Sequence, residues 1–140
     1  EELEILRKSS QSNDINIVPV IQPERIIQLR TVVRQIYMDS KIENYIVDLV
    51  RASRNPAKYG LDGHTDLIEY GASPRATISL AIASKAHAFM KHRGYVTPED
   101  VHAIGKDVLR HRVIVSYQVE ARGIDSEKII QTIFQTVEIP

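Results

Sequence analysis

Apolar residues recur every three or four positions along most of the chain, which is the spacing of amphipathic helices. We therefore predict a mainly α fold, a bundle of about five helices with a few short β-strands, preceded by a helix tail at residues 1–8. The five predicted helices begin near Pro23, at Ser40, at Pro74, after Thr97 and after Asp125 or Ser126.

Local signals predict where these helices end and what joins them. Ser40 and Glu43 have the spacing of a capping box, in which each side chain accepts a hydrogen bond from a free backbone N–H. The helix from Pro74 is expected to run to about Arg93, with Gly94 as its C-terminal stop. Short apolar pieces near residues 69, 95 and 114 are expected to form a two- or three-stranded sheet.

Composition narrows the function classes. The chain has 140 residues, 43% of them hydrophobic, which fits one domain, or one domain with a short appendage. Lys+Arg and Asp+Glu are each 18, so binding of nucleic acid or anionic membrane by bulk positive charge is excluded as the main mode. No apolar run approaches a membrane span and cysteine is absent. The chain begins at Glu1 in mid-pattern, and we expect it to be cut from a longer protein.

Familiar catalytic motifs are missing from the sequence. It has no G-x-S-x-G or H-E-x-x-H motif, and its five histidines have no ligand spacing, so we predict no metal site. Gly105-Lys106 lacks the upstream glycine of a phosphate-binding loop and lies within a predicted helix. We therefore expect the chain alone not to hydrolyse a nucleotide.

The strongest local feature is the run Gly71-Ala72-Ser73-Pro74-Arg75 at a predicted helix start. Free N–H groups and the helix dipole favour an anion there, and Gly71 would let backbone approach a ligand. Arg75 adds a planar donor fork suited to phosphate oxygens, in a helix with four cations and no acid. The alternative is that Ser73 only caps the helix and Arg75 is only solvated, which is the commoner situation at helix starts.

Four segments together resemble the C-terminal lid domain of MoxR-family AAA+ ATPases. The resemblance extends from about Val20 to Pro140. The segments are I-V-D-L-V-R-A-S-R-N-P (46–56), G-A-S-P-R-A (71–76), R-G-Y-V-T-P-E-D-V (93–101) and D-V-L-R-H-R (107–112).

This resemblance implies a helical AAA+ lid at residues 21–140, with residues 1–20 as the end of a preceding ATPase-core helix and a linker. ATP would bind between the lid and a base domain that holds the P-loop and Mg²⁺. Arg75 would be the sensor 2 arginine and the catalytic residue. The nucleotide-contacting residues would be Gly71, Ala72, Ser73, Pro74 and Arg75. Tyr45 and Ile46 are further candidates, although their position on an apolar helix face favours a place in the core.

The implied partners are the protein's own base domain and the neighbouring subunits of a ring, typically a hexamer. The family is thought to act in chaperone-like assembly or activation of other proteins, often with a von Willebrand factor A-domain partner. Neither nucleic acid nor a membrane span is expected, and the implied location is the bacterial cytoplasm.

Two other functions stay open at this stage. The helix from Pro74, Gly94 and the helix after Thr97 could form a helix-turn-helix that binds DNA, although Glu99 and Asp100 at the start of the second helix would repel phosphates. A protein-interaction module without any nucleotide role is the second alternative.

Overall fold

The structure, a computed structural model, describes residues 2–10, 18–61, 66–117, 121 and 123–140 and confirms a mainly α fold. A 3-10 turn at Pro56–Tyr59 follows the third helix. The two short strands are β1 (Ile68–Tyr70) and β2 (Ile114–Val115). The described residues contain six α-helices: α1 (Glu2–Ser10), α2 (Pro23–Gln35), α3 (Ser40–Ala52), α4 (Pro74–Met90), α5 (Pro98–Leu109) and α6 (Ser126–Thr136).

Helix α4 lies at the centre of the fold and packs against α5, α3 and α2. Its inward positions are small except for Leu80, because Ala76, Ser84 and Ala88 are also fully buried there. Small side chains let neighbouring helices approach closely, and the larger aliphatic residues of those neighbours fill the remaining space. On α3 and α5 these fully buried aliphatic residues are Ile46, Leu49, Val50, Val101 and Leu109.

Helix α2 is the most thinly packed of the helices around α4. Its predicted apolar face is used only in part, since none of its residues is buried. Leu29 and Val33 are half-buried, Ile26 is exposed, and the one buried residue of the predicted set, Ile36, lies just after the helix. The apolar spacing therefore predicts the helix correctly but overestimates how much of its apolar face is buried.

Gly105 is the position at which α6 packs on α5. A Cβ atom there would overlap the ring of Phe134, so only glycine lets the ring lie against the α5 backbone. The Gly105-Lys106 pair of the sequence therefore has a packing role.

One predicted helix cap and one predicted helix end are wrong. Asp39, one residue before Ser40, is the N-cap of α3, and its carboxylate accepts a hydrogen bond from the Lys41 N–H at 2.9 Å. Helix α4 ends at Met90 rather than near Arg93, and His92 adopts the left-handed conformation with φ 57°. The chain thus turns before Gly94, so no glycine stop is needed at that position.

The predicted sheet contains two of its three expected strands. β1 and β2 pair antiparallel, with Ile68 opposite Val115 and Tyr70 opposite Ile114. Tyr95 instead forms an isolated parallel bridge with Tyr37, after the end of α2. The predicted linker at residues 9–16 lies mostly outside the described residues.

Candidate functional site

The segment that leads into α4 is fixed to the end of α3 by one buried serine. The Ser53 hydroxyl donates to the Val50 carbonyl oxygen at 2.7 Å and accepts from the Ala72 N–H at 2.9 Å. Both Ser53 and Ala72 are buried. A hydrogen-bonded buried hydroxyl of this kind holds two chain segments in one register.

Gly71 is required by this same contact. A Cβ atom at Gly71 would overlap the Ser53 carbonyl oxygen and approach Arg54 Cγ to 2.7 Å. The sequence suggested that Gly71 lets backbone approach a ligand, but the close approach that the structure shows is to the protein's own α3. Together, Gly71 and Ser53 determine the direction in which α4 begins.

The first turn of α4 is open. Ser73 occupies the predicted N-cap position, yet its hydroxyl makes no capping bond. The only cap-type bond recorded for the described part of the turn is from the Ala76 N–H to the Ser73 carbonyl oxygen, at 2.8 Å. Pro74 has no N–H to satisfy, as is usual at a first helical position. The turn therefore presents N–H groups that no side chain covers.

Arg75 projects from this turn without a partner. Its side chain is exposed, and among the described residues its guanidinium makes no hydrogen bond and no ion pair. Its one recorded contact is through the backbone, where the Ser79 hydroxyl donates to the Arg75 carbonyl oxygen at 3.3 Å. Five N–H donors are thus available for an external acceptor.

The other end of α4 holds a buried ionic network. Asp100, at the start of α5, has no exposed surface, and Arg93 donates to its two carboxylate oxygens at 2.8 and 2.5 Å. His87 Nδ1 lies 2.7 Å from the same carboxylate, and the Thr97 N–H donates to it at 2.8 Å. Burial raises the pKa of Asp100, but the bonds from Arg93, Thr97 and His87 outweigh it and lower the pKa to about 2.

This network corrects one sequence argument. Glu99 and Asp100 were expected to repel DNA from the start of α5, but Asp100 is buried and neutralised by Arg93. Only Glu99 remains exposed there, so the argument against a helix-turn-helix is weaker than the sequence suggested. The capping function predicted for Thr97 is confirmed, since Thr97 and Asp100 form a capping box.

Tyr45 and Ile46 lie in the core, with 3% and 0% of their surfaces exposed. Burial raises the pKa of Tyr45 to about 12, so its hydroxyl stays protonated, and it forms a hydrogen bond of 2.7 Å with His102 Nε2. The structure brings neither side chain to the open turn at Arg75. Burial favours the core interpretation, and nucleotide contact by these two residues remains a prediction.

Sequence reasoning missed Ser53 and the ionised pairing of Asp100. Nothing in the local pattern distinguishes Ser53 from an ordinary polar residue at a helix end. Arg93 and Asp100 did carry a signal, because an arginine and an aspartate on either side of a tight turn can meet across it.

In the described part of the chain, no group of three or more His, Asp or Glu residues could hold a metal ion. No helix in that part is long and apolar enough to cross a membrane.

Comparison with known proteins places this geometry in context. Residues 61–133 match the family described as AAA lid domain. The chain is 32% identical over 115 residues to the chaperone MoxR1 of Mycobacterium tuberculosis, covering 82% of this chain and 30% of that protein. It is 32% identical over 141 residues to the uncharacterised protein YeaC of Bacillus subtilis, covering 100% of this chain and 41% of YeaC.

A solved structure extends the likeness to the whole fold. A crystal structure from Cytophaga hutchinsonii, described as that of a candidate ATPase, superposes with a TM-score of 0.89 at 38% identity. The match covers 99% of this chain and 42% of that one. The chain thus spans between 30% and 42% of the length of these three proteins.

Proposed function

The chain belongs to the AAA lid domain family, in the form carried by MoxR-family ATPases, and we propose that it closes over ATP bound to a P-loop base domain. Residues 21–140 are the lid in this proposal, and residues 1–20 are its junction with the base. Closure couples ATP hydrolysis to chaperone-like assembly or activation of partner proteins. Without a phosphate-binding loop in its sequence, the chain alone is inactive.

The unpartnered guanidinium of Arg75 is the observation that carries the proposal. Polar groups that are withdrawn from water usually have a hydrogen-bond partner, as Arg93 has in Asp100. Arg75 is exposed and has none within the described residues. A planar fork of free donors fits the oxygens of a phosphate group, which is the role of a sensor 2 arginine.

The surrounding residues orient that fork. The Ser53 hydroxyl holds Ala72, and the contact of Gly71 with Ser53 fixes the backbone just before the turn. The side chain of Arg75 therefore moves with the helical body when the lid moves, as expected in a hinge closure. When bound, ATP supplies a γ-phosphate whose oxygens accept charge-assisted hydrogen bonds, each contributing roughly 1.5–3 kcal/mol. Loss of those bonds after hydrolysis lets the lid reopen.

The assembly belongs to the same proposal. The base domain holds Mg²⁺, and the lid contacts both its own base and the neighbouring subunits of a ring, typically a hexamer. The protein works in the cytoplasm, with a von Willebrand factor A-domain protein as a candidate partner and without nucleic acid. The name of the related chaperone MoxR1 supports the chaperone-like role.

The deciding experiment is Arg75→Ala in the protein that carries this lid together with its ATPase base. We expect ATP hydrolysis, or its coupling to ring assembly, to fall by at least about tenfold, because one charge-assisted hydrogen bond is lost at the phosphate. The matched control is Arg30→Ala, which removes an exposed arginine of α2 that lies beside Phe89 and Met90, at the other end of α4.

Steady-state hydrolysis and nucleotide-dependent assembly are measured for both variants. Near-wild-type hydrolysis together with unchanged assembly in the Arg75 variant contradicts the proposal. Equal losses in the two variants would show a general charge effect and contradict it as well.

A further inference from the structure

Two more arginines flank the open turn at the start of α4, and neither is bonded to an acid. The first is Arg54, just after α3, whose Cγ would lie 2.7 Å from a Cβ placed at Gly71. Its stem thus runs alongside the backbone that leads into the turn. The side chain is exposed, and in the described chain its guanidinium has no hydrogen bond or ion pair.

The second is Arg112, which follows α5 and reaches across to α4. One of its terminal nitrogens donates to the Ser79 hydroxyl at 3.5 Å, and the other bonds to the Val108 carbonyl oxygen and to His111 Nε2. Ser79 in turn donates to the Arg75 carbonyl oxygen. Residues four apart lie on the same helix face, so Arg112 is held one turn along α4 from Arg75.

The pairing of β1 with β2 independently brings the segment that contains Arg112 close to the start of α4. Tyr70, the residue before Gly71, pairs with Ile114, two residues after Arg112. The β1–β2 pairing and the Ser79 contact are different interactions in different elements. Both put Arg112 beside the segment that carries Arg75.

The arginines around the open turn have no acidic partner of their own. Arg93 is neutralised by Asp100, and Arg110 forms ion pairs with Asp107 and Glu127. Arg54, Arg75 and Arg112 form no such pair with any carboxylate in the part of the chain that the structure describes. A polyanion bound at this turn would be attracted by all three cations.

We propose that Arg54 and Arg112 join Arg75 in a three-arginine site for the phosphate chain of a nucleotide. The inference rests on the proposed function and deepens it, since it adds two binding residues that lie outside the first turn of α4. Arg54 contacts the ligand from the α3 side and Arg112 from the α5 side. The ligand chemistry is a chain of linked phosphates, which offers acceptors to several guanidinium groups at once.

The test uses inorganic tripolyphosphate and the 140-residue chain. Binding is followed through backbone amide shifts in two-dimensional NMR spectra at low salt. We expect the largest shifts at residues 54, 71–76 and 112. Arg54→Gln and Arg112→Gln should each weaken binding by about two- to fivefold, as exposed charge pairs do. Arg30→Gln on α2 is the matched control and should leave the affinity unchanged.

A structural role is separated from a binding role by two further variants. Arg112→Lys keeps the charge and should recover part of the affinity that Arg112→Gln loses. Among the described residues Arg54 has no ion pair to lose, so an effect of Arg54→Gln on tripolyphosphate binding does not come from a broken internal ion pair. Affinities in Arg54→Gln and Arg112→Gln that match Arg30→Gln overturn the inference, and so does a wild-type spectrum that tripolyphosphate leaves unchanged.

Hydrolysis assays keep this inference distinct from the proposed function. If Arg75→Ala abolishes hydrolysis in the protein with its base domain while Arg54→Gln and Arg112→Gln do not reduce it, the proposed function stands and the three-arginine site is wrong. If Arg75→Ala hydrolyses ATP normally while all three arginines bind tripolyphosphate, the anion site stands and the sensor 2 assignment fails.

Discussion

The two ends of α4 treat their charges in opposite ways. At the C-terminal end, Arg93 and His87 bond to a carboxylate that has no exposed surface. At the N-terminal end, the exposed Arg75 has no acceptor among the described residues. Internal pairing at one end stabilises the join between α4 and α5. Its absence at the other leaves donors available for a ligand.

The backbone differs between the ends as well. The chain before α4 is fixed by neutral contacts, in which Gly71 packs against Ser53 and Ser53 bonds to Ala72. The chain after α4 turns through His92 in the left-handed region and is held by the charged network at Asp100. One end is therefore positioned by shape and the other by charge, so substitutions should affect them differently.

The largest effect is expected from Asp100→Ala. Removing the carboxylate leaves the part-buried Arg93 without its acceptor, and breaking a buried ion pair costs roughly 3–5 kcal/mol. Urea unfolding at neutral pH should show a loss of that size in the free energy of unfolding. The control is Asp107→Ala on the same helix, whose carboxylate is 70% exposed and whose pairing with Arg110 is worth little. Equal losses in the two variants would contradict the stabilising role of the network.

An intermediate effect is expected from Gly71→Ala. The new methyl group overlaps the backbone of Ser53, which cannot move away without disturbing α3, and such overpacking costs about 1–3 kcal/mol. The matched control is Gly94→Ala, where a Cβ atom meets nothing within 4 Å. Thermal unfolding should separate the two variants clearly. If Gly71→Ala unfolds at the wild-type temperature, the close packing of Gly71 on Ser53 does not hold the turn.

The smallest effect on stability is expected from Arg75→Gln. Exposed substitutions away from special contacts change the free energy of unfolding by less than about 0.5 kcal/mol, and this exposed guanidinium has no ion pair to lose among the described residues. Urea unfolding of the chain alone is the measurement. A loss above 1 kcal/mol would mean that Arg75 stabilises the fold, and the contrast between the two ends of α4 would fail.

Several features were predictable because they depend on neighbours in sequence. The helices follow from apolar spacing, and the start of α4 at Ser73 and Pro74 follows from local backbone chemistry. The same is true of Asp125, which caps α6 by accepting from the Lys128 N–H. These features need no knowledge of what the other helices do.

The misplaced features all depend on contacts across the fold. Gly94 was a reasonable stop for α4, but His92 turns the chain earlier, and Arg93 then meets Asp100. Tyr95 was expected in the sheet, yet it pairs with Tyr37, because the ends of α2 and α4 meet there. A local sequence pattern indicates well whether a segment forms a helix or a strand, but it indicates poorly which other segment that helix or strand contacts.

The sequence by itself determined the helical class, the helix start at Ser73 and Pro74 and the resemblance to a lid, because spacing and motifs are local properties. Only the tertiary structure decided which charges are neutralised and which are free. It buried Asp100 beneath Arg93, placed Ser53 and Arg54 against Gly71 and brought Arg112 to Ser79. The physical reason is that residues distant in the chain and close in space surround each charged group. They set its pKa, the free-energy cost of burying it and whether it is free to bind a ligand.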